Sequence, residues 1–153
     1  MSDTDRIEKS IVLRAPRARV WRALSDSREF GTWFGCAFDA PFAPATTVRG
    51  KITKPAGYEH IPFELAIDRI EPERLFSFKW HPYAIDAAID YSHETPTLVV
   101  LTLDEIPEGT KLTVVETGFD AIPAARRADA FKMNSHGWSA QFENITRHVA
   151  AAL

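Results

Sequence analysis

Cysteine is all but missing from this chain of 153 residues: Cys36 stands alone, so no internal disulfide can form and no pair of thiolates can hold a metal. Histidine is sparse too, and none of the five falls in HxH or HxxxH spacing, which argues against a structural zinc site. The seven glycines are scattered, with none in the GxGxxG or GxxxxGK arrangements that cradle phosphates, so nucleotide-dependent chemistry is disfavoured. A GxSxG elbow is lacking as well, and no Cys/His couple is indicated. Excess positive charge is absent: 18 Lys and Arg stand against 21 Asp and Glu, a net charge of -3 without a basic cluster, which excludes general attraction to nucleic acid or to anionic membrane surfaces. No apolar run approaches the roughly 20 residues that span a bilayer, so stable membrane insertion is not expected. The first ten residues, MSDTDRIEKS, lack the apolar centre of a signal peptide, and the expected location is cytoplasmic.

What is present is an ordinary globular balance, 45% hydrophobic and 25% charged, at a length that predicts one domain over residues 1–153. The most informative stretch is 119–153, which reads as one long helix. Phe131, Trp138, Phe142, Ile145 and Val149 recur at spacings that keep them on one face, an unusually bulky stripe. Such a helix needs a wide apolar surface beneath it. The earlier residues supply one as alternating strands, predicted over 7–14, 47–53, 61–70, 75–80, 97–103 and 111–117. Phe63, Leu65 and Ile67 share one parity, and Phe76, Phe78 and Trp80 share another.

Between the first two strands, Pro16 opens a helix and Asp26 with Glu29 has capping-box spacing for a second short one. That second helix ends in Phe30-Gly31-Thr32-Trp33-Phe34-Gly35, an aromatic knuckle bracketed by glycines. Residues 39–46 read as loop, and 54–57 (Lys54-Pro55-Ala56-Gly57) as a turn. Residues 81–96 break both periodicities and are long for a hairpin connection, which marks a lid or rim loop with a mobile tip. The order predicts an α+β fold: a curved antiparallel sheet of about six strands wrapped around a long C-terminal helix, with two short helices after the first strand and a hollow between sheet and helix.

The segment IVLRAPRARVWRALSDSREFGTWFG, then LTVVETGFDAIP, then Gly137-Trp138 in the last helix resemble the signatures of the activator of heat-shock-protein ATPase homologue family. That family lies in the START-related polyketide cyclase (SRPBCC) superfamily. The resemblance implies a helix-grip fold around a deep apolar cavity, reaching the same architecture as the periodicity. It also implies three roles between which fold cannot choose: a binding module for a small apolar or amphipathic molecule, a partner of a chaperone, and a cofactor-independent cyclase or hydrolase. The chaperone ATPase activators carry a separate N-terminal domain, for which a chain of this length leaves no room.

The candidate ligand-binding residues follow from facing the hollow. The aromatic and aliphatic set is Trp33, Phe34, Phe63, Leu65, Phe76, Phe78, Trp80, Phe131, Trp138 and Phe142, which either line a pocket or pack together as core. Glu116 shares parity with Leu112 and Val114 and so points inward, unless a twist near Gly118 turns it out or Arg126 or Arg127 pairs with it. Inward and without a cationic partner, it would be an acid, a base or an anchor, and in a binding module Glu116→Gln would leave stability near neutral pH unchanged or improved. Asn134 lies close to Trp138 on the helix and Arg127 near its entrance, as polar anchors or as satisfied structural groups. In the long loop, His81 with Asp86, Asp90 or Glu94 is read chiefly as a solvated rim. No catalytic residue, metal or cofactor is assigned.

Overall fold

The computed structural model describes residues 4–151 apart from Pro55 and Ala87. These two positions of the expected turn and loop, and residues 152 and 153 of the expected helix, lie outside the described residues. The chain runs β1 (Arg6–Leu13), α1 (Arg17–Ser25), α2 (Ser27–Phe34), β2 (Cys36–Phe38), β3 (Thr47–Ile52), β4 (Pro62–Glu71), β5 (Leu75–Trp80), β6 (Thr97–Ile106), β7 (Gly109–Thr117), a single 3-10 turn (Phe119–Ala121) and α3 (Ala124–Ala151). One antiparallel sheet contains all seven strands in the order β1-β7-β6-β5-β4-β3-β2. The strand beyond the expected six is β2, whose three residues are too few to carry a readable alternation. Among the described residues no helix is long and apolar enough to cross a membrane.

The inward sheet face is written in strict alternation: Thr97, Val99, Leu101 and Leu103 on β6 are buried, as are Thr110, Leu112, Val114 and Glu116 on β7. Alternation therefore persists through Glu116, and the break falls at Gly118, whose φ of 107° is open to glycine at little cost. The long helix starts later than position 119. Ile122 precedes Pro123 and is extended (φ -72°, ψ 141°), so the helix begins only where Pro123 can offer its carbonyl to the Arg126 and Arg127 amides.

The glycines around the knuckle have different reasons. Gly35 ends α2 in the left-handed conformation at φ 99°. Gly31 lets β2 approach, since a Cβ there would lie 2.3 Å from the Cys36 carbonyl oxygen. Cys36 itself is buried, and desolvation pushes its thiol up to about 12.

Asp26 caps α2 by accepting from the amides of Arg28 (2.9 Å) and Glu29 (3.2 Å). The reciprocal half of the capping box does not form, because the Asp26 amide donates to the Arg22 carbonyl and Glu29 faces other helices. Glu29 accepts from Arg19 (2.8 Å) and Arg22 (2.6 Å) on α1 and lies 2.9 Å from His148 Nε2 on α3. Burial disfavours its charge, but hydrogen bonds from His148, Arg19 and Arg22 outweigh it and hold the carboxyl below its ordinary value of 4.5. A lowered folded-state value means stability present above about 4.5 and lost as pH falls through the folded value. Wild type should thus lose more stability in urea titrations between neutral pH and about pH 3 than Glu29→Gln does. Equal losses would remove the three-helix junction as an acid-sensitive element.

Candidate functional site

Glu116 is the polar centre of the interior. On the sheet it sits opposite Val99 of β6 and Ile7 of β1, and it is 0% exposed. Four side chains, from the end of β5, the start of β6 and α3, converge on its carboxylate. Trp80 Nε1 donates to Oε2 at 2.7 Å and Thr97 Oγ1 to the same oxygen at 2.6 Å. Trp138 Nε1 donates to Oε1 at 2.8 Å, and Asn134 Nδ2 bridges both oxygens at 2.9 and 3.0 Å. A carboxylate offers about four acceptor sites, and here the protein fills them. Neither Arg126 nor Arg127 reaches it: Arg126 pairs with Glu94, and Arg127 Nε donates to the Ile122 carbonyl at 3.0 Å. Glu116 thus points inward with no cation beside it, but the expectation of an uncompensated buried charge fails, because two indoles, an amide and a hydroxyl replace the solvent it lost.

Above this hub the hollow expected between sheet and helix is occupied by rings. Phe30, fully buried, packs against Trp33 at 4.8 Å, Phe34 at 5.0 Å and Phe42 at 5.6 Å between ring centroids, and reaches Phe76 and Phe78 on the sheet, each at 6.2 Å. Trp80 and Trp138 close the far side at 5.8 Å. Rings in offset and edge-to-face contact fill volume at the density of a protein core.

What space remains lies at the rim. A cavity of about 390 Å³ opens between Phe34, Ile52, Ile61, Phe63 and Trp80 on one side and residues 81–86 and 89–92 on the other, with Asn134 also in its lining. Its cover includes Tyr83, Ile85, Ile89 and Tyr91, the large aromatic and aliphatic residues of that loop. This loop is tied down. Arg126, in the first turn of α3, donates to both Glu94 carboxylate oxygens and to the carbonyls of Pro82 (2.8 Å) and Tyr83 (3.4 Å), and its guanidinium lies 4.8 Å from the Tyr91 ring centre. The tip is held by turns of its own: the Ile89 amide donates to the Asp86 carbonyl, and the Asp86 amide to Tyr91 Oη at 3.2 Å. These contacts make the segment a fastened cap. Arg126→Ala should release it, raising hydrogen exchange at the Ile89 and Glu94 amides about tenfold or more while leaving the amides of β6 and β7 unchanged. Exchange already fast in the wild type at both amides would contradict the fastening.

The predicted site residues thus separate into groups. Phe34, Phe63, Trp80 and Asn134 line the rim cavity. Leu65, Phe76, Phe78, Trp138 and Phe142 are buried in the packed interior, and Glu116 lies beneath them with its acceptors filled. Trp33 is buried with its indole donating to the Ala23 carbonyl at 2.8 Å. Phe131 packs on Phe119 at 5.2 Å, and Arg127 closes the entrance of α3, both away from the cavity lining. Of the loop cluster, His81, Asp86 and Asp90 line the cavity, while Glu94 is taken by Arg126. The sequence reading missed Ile52, Ile61 and the latch role of Arg126. For the latch no local signal existed, since Arg126 and Glu94 are 32 positions apart. A second cleft of about 470 Å³, lined by Trp33 and Phe34 together with Thr32, Lys54, Gln141, Asn144 and Arg147, is open to solvent. Among the described residues no group of His, Cys, Asp and Glu is arranged to hold a metal.

Solved structures share this architecture. Protein MLL2253 from Mesorhizobium loti is similar over 95% of this chain and 97% of its own, with a TM-score of 0.72 at 24% identity. A protein from Arthrobacter aurescens, solved in solution, reaches a TM-score of 0.78 at 17% identity, covering 99% of this chain and 90% of that one. DynU16, a protein in the dynemicin biosynthetic locus, has a TM-score of 0.71 at 22% identity, with 97% of this chain matching 48% of its length. At these identities the likeness is one of fold. No curated protein matches the chain in sequence. A family model does, over residues 14–150, and by that match the chain belongs to the family described as Activator of Hsp90 ATPase homolog 1-like protein.

Proposed function

We propose that this protein binds a small apolar or amphipathic molecule in the rim cavity beneath the 81–92 cap. The observation that carries the reading is the cavity itself, about 390 Å³ walled mainly by aromatic and aliphatic side chains beside a core of packed rings. Ligand pockets of small molecules fall in the range of about 300 to 1,000 Å³ and are lined in this way. Burial of roughly 300 Å² of apolar ligand surface at about 25 cal/mol per Å² contributes roughly 7 kcal/mol, from which the loss of free motion is subtracted, so binding in the micromolar range or weaker is expected. The Glu116 hub supports this role by fixing Trp80 and Asn134, which belong to hub and cavity alike. With its acceptor sites filled, Glu116 is a positioning residue here and not the acid or base of a reaction.

The test is NMR titration with a small aromatic and aliphatic alcohol library, following the Trp80 indole N–H. Saturable shifts of that signal and of the Phe34 and Phe63 rings, with the Phe76 and Phe78 rings unmoved, are expected. Shifts confined to the interior rings, or none from any compound, would defeat the reading. Partnership with a chaperone is a second reading supported by family membership alone, and stimulation of Hsp90 ATPase activity by the purified chain is its measurement.

A further inference from the structure

The cavity also has a polarity, and from it we infer that the favoured ligand is an amphipathic amine: an apolar body carrying an ammonium or other donor-only end. This rests on the rim cavity being the binding site. Its charged lining residues among those described are Glu64, Asp86 and Asp90, and no Lys or Arg lines it. The nearby arginines are already engaged, Arg126 with Glu94 and the solvent-exposed Arg49 with Glu64 at 3.7 Å. Asp90 accepts from the Ser92 amide at 2.9 Å, and hydrogen bonds from Ser92 hold its carboxyl below the ordinary range, so it is charged at neutral pH.

One neutral polar group deep in the lining points to the same chemistry. Asn134 spends its amide nitrogen on Glu116, which leaves its carbonyl oxygen, an acceptor, as the remaining polar atom of that lining side chain. His81 lines the cavity with a buried Nδ1 that has no hydrogen-bond partner. The aromatic wall of Phe34, Phe63 and Trp80 adds ring faces that attract a cation and do nothing for an anion. A fatty acid or other carboxylate would bring its charge toward three carboxylates, one of them already paired with Arg49, with no Lys or Arg in the lining to meet it. At about 30 Å³ for a water-sized group, the cavity holds a ligand of roughly a dozen non-hydrogen atoms.

The experiment compares phenylbutylamine, phenylbutanol and phenylpentanoate, three probes of equal apolar body, by calorimetry on the full chain, with the Trp80 indole signal confirming the site. The amine should bind about tenfold or more tightly than the carboxylate, with the alcohol between them, and the difference should shrink as salt is added. In the double variant Glu64→Gln with Asp90→Asn, the amine-to-carboxylate ratio should fall toward one. Carboxylate binding equal to or tighter than amine, with the alcohol bound, would overturn the polarity and leave the cavity reading intact. An unchanged ratio in the variant would also overturn it. Failure of all three to perturb Trp80 would sink both.

Discussion

Glu116→Gln should lose about 2 to 4 kcal/mol of stability, although it preserves shape and removes a buried charge. The reason is that every group around the carboxylate is a donor. If the new amide nitrogen takes the place of Oε1, it faces the Trp138 indole N–H and the Asn134 amide. If it replaces Oε2, it faces the Trp80 indole, the Thr97 hydroxyl and the Asn134 amide. Either placement strands one indole N–H and sets donor against donor, and each buried donor left unpaired costs about 1 to 3 kcal/mol. Urea denaturation followed by tryptophan emission measures the loss, and the Trp80 and Trp138 N–H resonances should show which indole is stranded. A loss below about 1 kcal/mol would mean that the hub does not hold the interior together.

Phe30→Ala should be as severe, about 3 to 5 kcal/mol, or on the order of 10 °C in melting temperature. Phe30 touches the knuckle, the 39–46 loop through Phe42 and the sheet through Phe76 and Phe78, so its removal opens a void among stiff rings that cannot collapse into it. Phe34→Ala, at a half-buried ring on the edge of the same cluster, should cost less and weaken ligand binding more. The reverse ranking would show that the filled interior, and not the rim, is the compliant part of the molecule.

The strand parity that placed Glu116 inward was legible because period-two alternation runs unbroken to Gly118, where a positive φ ends it. The bulky face of α3 was legible for the analogous helical reason. The partners of Glu116 were not: Trp80, Thr97, Asn134 and Trp138 lie 36, 19, 18 and 22 positions away, and no local pattern encodes which donors the topology will bring together. Nor could periodicity distinguish rings that line a hollow from rings that fill one. That outcome turned on Phe38 and Phe42, which sit in a three-residue strand and a Pro-rich loop yet stack into the cluster, Phe42 lying 5.2 Å from Phe76. The late start of α3 was readable in principle, since Ile122-Pro123 carries the restriction that a proline imposes on its predecessor.

The lone cysteine has a practical consequence. Cys36 is buried and its thiol is pushed up to about 12, so at neutral pH it offers almost no thiolate to an alkylating reagent. Ile89, 51% exposed on the cap, is a surface position at which a thiol can be introduced and labelled with a maleimide dye without first deleting the native one. A fluorophore there, quenched by electron transfer from nearby aromatic rings in the fastened state, would turn opening of the cap into a change in brightness that single molecules can report.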